Sequence, residues 1–152
     1  MEVAIQFVGG GADWHDYVNA SAVKAARVLS SPEFLARVRA HPRFDFTEET
    51  PAQVATRLES AGRVVVVVGF YWNPLGVAIA REVDGRVELN TAKRGRGAGS
   101  AANIAHELMH VLGYSHDGNS PRATRTPFRT GLVSGWMSWT PHEGRISFGV
   151  FA

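Results

Sequence analysis

The sequence predicts an α+β fold in a single domain spanning 1–152, and three observations predict it. Apolar segments of strand character are interleaved with segments of helical period. Five consecutive valines, Val64 to Val68, mark a strand at the centre of a sheet, covered on both faces. Asp84-Gly85 between two further apolar runs marks a hairpin. With 152 residues, 45% apolar and 20% charged, the chain is long enough for its own core. It has no cysteine, which excludes disulfides and thiolate metal sites. No apolar run approaches span length, so no membrane partner is expected. Arginine outnumbers lysine fourteen to two, but the arginines are scattered and the net charge is only +2. No nucleic-acid partner is expected from that.

Taken in order, Val3 to Val8 is a first strand, ended by Gly9-Gly10-Gly11. Asp13 is placed to cap the helix that follows. Tyr17, Ala20, Val23, Lys24, Ala26, Arg27 and Leu29 give that helix a mostly one-sided pattern, which predicts packing on a sheet. Ser31-Pro32-Glu33 restarts the helix, with Pro32 at its favoured first position and Phe34, Leu35 and Val38 on its apolar face. His15 and His41 have nothing around them spaced for a metal and are expected at the surface. Arg43-Phe44-Asp45-Phe46-Thr47 alternates as a short second strand. Thr50-Pro51-Ala52-Gln53 opens a short helix with a capping box, running to about Ser60.

The valine strand covers Arg63 to Tyr71 and stops at Asn73-Pro74. Gly76 to Glu82 and Arg86 to Thr91 are the strands of the hairpin, which makes five strands in all. Lys93 to Gly99 is expected as a flexible loop. Ser100 caps a last helix over Ala101 to Leu112, whose apolar face carries Ile104, Leu108, Val111 and Leu112.

That last helix holds the chemistry. At about 3.6 residues per turn, His106 and His110 share a face one turn apart. Two imidazoles so placed can hold one metal ion. Glu107 is the next residue round the helix, within reach of a water on that ion. Gly113 permits the left-handed backbone that ends a helix, so the chain can turn back and deliver His116 as a third ligand. Three protein nitrogens with an open fourth position make the pattern of catalytic zinc. Half of the six histidines fall between His106 and His116.

The run His106-Glu107-Leu108-Met109-His110-Val111-Leu112-Gly113-Tyr114-Ser115-His116 resembles the H-E-x-x-H-x-x-G-x-x-H signature of the metzincin metallopeptidases. The resemblance implies a methionine in a tight turn downstream. Met137, in Ser134-Gly135-Trp136-Met137, stands twenty-one residues after His116 and matches that Met-turn. It implies a metzincin-like, twisted mixed sheet with a backing helix and an active-site helix in an upper subdomain, 1–113. A small irregular lower subdomain, 114–152, would carry the Met-turn. It covers roughly residues 2 to 140, with the helix at Pro51 to Ser60 as an addition. Arg145 to Phe151 looks extended where the family has a C-terminal helix. Where some relatives have a tyrosine that reaches the metal, this chain has Trp139. Asp117 is a rival third ligand and His142 a weaker one.

The activity implied is zinc-dependent endopeptidase, with one catalytic Zn2+ and a protein or peptide substrate. Zinc held by neutral histidines lowers the pKa of a water towards neutrality and polarises a carbonyl. Glu107 then takes that water's proton and passes it to the leaving amine. By resemblance the substrate lies along an edge strand, with Gly76, Val77, Ala78, Ile79 and Ala80 as the binding residues. Arg94, Arg96, Arg122, Arg125 and Arg129 are either contacts for acidic substrate side chains or solvated loop charge. A monomer is expected. No basic region followed by an apolar stretch stands near Met1, so no signal peptide is expected; an extracellular mature form fits the resemblance. Two other readings stay open: a zinc hydrolase dedicated to one target, and a non-catalytic zinc-binding module.

Overall fold

A computed structural model of the chain describes residues 1–44, 47–76 and 78–114. Among them four strands form one mixed sheet: β1 (Glu2–Val8), β2 (Arg63–Tyr71), β3 (Ala80–Val83) and β4 (Arg86–Asn90), in the order β1-β2-β4-β3. β1 and β4 both run parallel to β2, and β3 closes the sheet antiparallel to β4. The hairpin turns at Asp84-Gly85, where both residues have positive φ, as an Asp-Gly turn requires. The helices are α1 (Ala12–Leu29), α2 (Pro32–Ala40), α3 (Pro51–Ser60) and α4 (Ala101–Val111).

Among the described residues the strands are four, not the expected five. Arg43, Phe44 and Thr47 belong to no strand, and Asp45 and Phe46 lie outside the described residues. Phe44 is buried and stacks on His41, rings 4.5 Å apart and 2° from parallel. Of the described residues in that stretch, Phe44 serves as a core anchor, and none is in a strand. His41 is accordingly partly buried, as is His15, whose ring stacks 3.9 Å from Phe7.

The valine strand is interior to the sheet, as expected, but the described residues do not cover it on both faces. Val64, Val66 and Val68 are at most 8% exposed, while Val65 is 43% exposed. The helices pack on the first of these faces, with α1 against β1 and α4 against β2. Apolar character on both sides of β2 therefore exceeds what the described residues bury.

Local signals set most helix boundaries. Ser31 accepts the Phe34 amide at the start of α2, and Thr50 and Gln53 form the capping box of α3. α1 differs: Gly11 is its N-cap and makes no side-chain bond, while Asp13 sits in the first turn, favourable to the helix dipole. Its buried face is Val18, Ser21, Ala22, Ala25, Ala26 and Leu29, whereas Val23 is 68% exposed. Small alanines permit close packing there, and α4 is its principal helical neighbour. Thr91–Arg96 is a short 3-10 helix, which takes Thr91 from the expected strand and Lys93 to Arg96 from the expected flexible loop of Lys93 to Gly99. Lys93 within it is buried and donates to the Pro74 carbonyl at 2.6 Å. No helix among the described residues is long and apolar enough to cross a membrane.

Candidate metal centre

α4 starts from a cap that reaches into the site. Ser100 Oγ accepts the Asn103 amide at 3.3 Å, and Asn103 Oδ1 accepts the Gly99 amide at 3.1 Å. The same Asn103 side chain donates from Nδ2 to Glu107 Oε1 at 3.2 Å, one turn along. Glu107 is only 6% exposed. A buried carboxylate needs such partners, because an unpaired one is costly in a low-dielectric interior. Burial also separates the observed α4 from the expected one. Its inner face is Ile104, Ala105, Glu107, Leu108 and Met109, while Val111 is 44% exposed.

At its other end α4 closes through Gly113, whose φ is +92°. The Gly113 amide donates to the His110 carbonyl at 2.9 Å and the Tyr114 amide to the Met109 carbonyl at 3.0 Å. This pair of bonds is a Schellman motif. Met109 and Tyr114, which it brings into register, both belong to the buried core. The reversal also places the Tyr114 carbonyl 2.8 Å from His110 Nδ1. A carbonyl can only accept, so Nδ1 is the donor of this hydrogen bond, and the neutral tautomer with that donor has its lone pair on Nε2.

That lone pair faces His106. The two Nε2 atoms are 3.1 Å apart, with ring planes at 84°. Two nitrogens bound tetrahedrally to zinc at about 2.0–2.1 Å lie about 3.3 Å from each other. The observed spacing is within a few tenths of an ångström of that, so the pair fits a zinc ion. Both rings are partly exposed at the surface of the helix. Among the described residues no group of three or more His, Cys, Asp or Glu side chains is gathered to hold a metal. His116, its rivals Asp117 and His142, and also Met137 and Trp139, lie outside the described residues.

Of the residues expected to bind substrate, Ala80 begins β3, the edge strand, while Gly76, Ala78 and Ile79 precede it and Val77 lies outside the described residues. The approach to β3 is pinned. Asn73 Oδ1 accepts the Leu75 and Gly76 amides, and the buried Asn90 side chain donates to the carbonyls of Asn73 and Ala78. Arg94 is not free loop charge: its guanidinium lies 5.0 Å over Trp14 and 4.7 Å over Tyr17. Arg96 is exposed; Arg122, Arg125 and Arg129 are outside the described residues.

Sequence reasoning missed three contributors. Asn103 was legible, since it stands four residues before Glu107 on one helix face. The Tyr114 carbonyl follows only from the exact form of the helix end. The third is a contact across the fold, in which the Tyr114 hydroxyl donates to Glu49, itself paired with Arg57 of α3. Burial, and then the bond to Glu49, push the Tyr114 hydroxyl above the ordinary phenol pKa, so it remains a donor. No local pattern announces a pairing 65 residues apart. No family model, curated protein or solved structure matches the chain.

Proposed function

We propose that this protein is a zinc-dependent endopeptidase, with His106 and His110 as metal ligands and Glu107 as the general base. The observation that supports this best is the pair of Nε2 atoms 3.1 Å apart, with the outer nitrogen of His110 already committed to a carbonyl. Metal-ligating histidines commonly donate their other ring nitrogen in this way, which fixes the tautomer. By the motif resemblance, His116 would be the third ligand and Met137 would stand in a Met-turn.

When bound, zinc supplies Lewis-acid activation of water and of the scissile carbonyl. Glu107 takes the proton of the attacking water and returns it to the departing amine. Asn103, hydrogen-bonded to one Glu107 oxygen, orients the carboxylate. β3, a terminal strand of the sheet among the described residues, would offer an extended substrate backbone hydrogen bonds of the kind one strand gives another. Substrate selection is then by peptide conformation and side-chain fit.

The test is cleavage of a mixed peptide library by the zinc-loaded protein, read by mass spectrometry with and without chelator. Glu107→Ala is expected to keep zinc and lower turnover by about 10²–10⁴-fold, the usual contribution of a positioned base. His110→Ala is expected to lose zinc and activity together. Near-normal turnover in Glu107→Ala would remove the base assignment. Stoichiometric zinc with no cleavage of any peptide would favour a non-catalytic zinc protein or an enzyme dedicated to one target.

A further inference from the structure

The turn that ends α4 is gripped from a distant part of the chain. Arg57, on α3, donates from Nη1 to the Leu112 carbonyl at 3.2 Å and from Nη2 to Glu49 Oε1. Glu49 Oε2 accepts the Tyr114 hydroxyl, and the Arg57 guanidinium lies 5.5 Å from the centre of the Tyr114 ring. The contacts enclose Leu112, Gly113 and Tyr114, the residues of the turn itself. Tyr114 is also the residue whose carbonyl accepts from His110 Nδ1.

As a stability device this arrangement is weak. The Arg57 and Glu49 side chains are 49% and 23% exposed, and ion pairs so open to water contribute little. Its geometric consequence is larger. A neutral imidazole in water prefers its proton on Nε2, the atom that here must stay bare to face His106. Holding the Tyr114 carbonyl against Nδ1 reverses that preference before any metal arrives. A turn free to shift would release Nδ1 to water and let the proton move.

We propose that Glu49 and Arg57 are positioning residues for His110: by fixing Tyr114 through its hydroxyl and its turn, they hold its carbonyl on Nδ1 and keep the Nε2 lone pair directed at His106. The purpose of this device rests on the metallopeptidase reading, while its effect on the imidazole is independent of it. It also gives a role to α3, the element that the resemblance leaves as an addition.

The experiment compares the wild type with Glu49→Gln, Arg57→Ala and Tyr114→Phe. Nitrogen-15 spectra of the metal-free protein, recorded across a pH series, read the His110 tautomer. Competition with a chromophoric chelator reads zinc affinity. Arg39→Ala, which breaks the comparably exposed Arg39–Glu59 pair, is the control for a merely structural loss. The wild type and Arg39→Ala are expected to hold the proton on Nδ1. In each of the three variants the Nε2-protonated form should grow in, and zinc affinity should fall about tenfold, the low end for loss of an outer-shell partner. A tautomer unchanged in all three overturns the proposal, whether or not affinity or melting temperature falls. A wild type that binds no zinc, with a tautomer that still responds to the variants, leaves the positioning intact and removes the metallopeptidase reading instead.

Discussion

Gly113 does two things at once. It gives α4 a left-handed end, and it turns the chain so that a backbone carbonyl meets the last histidine of the helix. Among the described residues a Cβ at this position meets nothing closer than Arg57 Nη1 at 3.8 Å. With respect to them, substitution costs backbone strain alone. Gly113→Ala is expected to lower stability by about 1–2 kcal/mol in urea unfolding, and to weaken zinc binding because the Tyr114 carbonyl moves. Gly113→Asn, which tolerates a left-handed backbone better, should recover part of both. If Ala and Asn behave alike, the positive φ is not what the position requires.

At the scale of elements, α4 is set in place by how its first turn approaches its neighbours. Gly99 has a φ of +73°, and a Cβ there would lie 3.2 Å from both Tyr17 Cε1 and Val18 Cγ2 of α1 and 3.3 Å from Leu89 Cδ1 of β4. Both helix and strand crowd the position, unlike Gly113. Gly99→Ala is therefore expected to add overpacking of about 1–3 kcal/mol to the strain, giving a larger loss than Gly113→Ala in the same unfolding measurement. Equal losses would mean that α1 yields easily at Tyr17 and Val18. The cap just after it is a milder case. Ser100→Ala removes one acceptor for the Asn103 amide, with an expected cost of about 1 kcal/mol.

For the molecule as a whole, the sheet separates a buried face from one that is open among the described residues. The open face carries Val65 and a charged cluster in which Arg81 and Arg86 both donate to Glu88. The hydrogen bonds from these two guanidinium groups hold the Glu88 carboxyl below its ordinary pKa of 4.5. The sign follows from linkage: a carboxyl depressed in the folded state adds stability that is complete above its unfolded pKa and is lost as pH falls through the folded value. Urea midpoints should therefore drop as pH is lowered from about 6 to 3, and Glu88→Gln should flatten that dependence. An unchanged slope in Glu88→Gln would assign the acid sensitivity to other carboxylates.

Much of this protein was legible in its residues because the signals are local. Ser31, Thr50 with Gln53, Ser100 and Gly113 mark helix ends through bonds or dihedral angles involving near neighbours, and His106 and His110 share a face by helical period alone. The sequence by itself determined that two imidazoles and a carboxylate stand together on one helix, and that the helix ends in a turn. Only the tertiary structure decided that the described residues cover β2 on one face, that Phe44 is a core anchor rather than part of a strand, and that Glu49 reaches Tyr114. The physical reason is the same in each case. Burial and long-range hydrogen bonds depend on which surfaces meet after the chain closes on itself, and a pattern of period two or 3.6 carries no record of the partner.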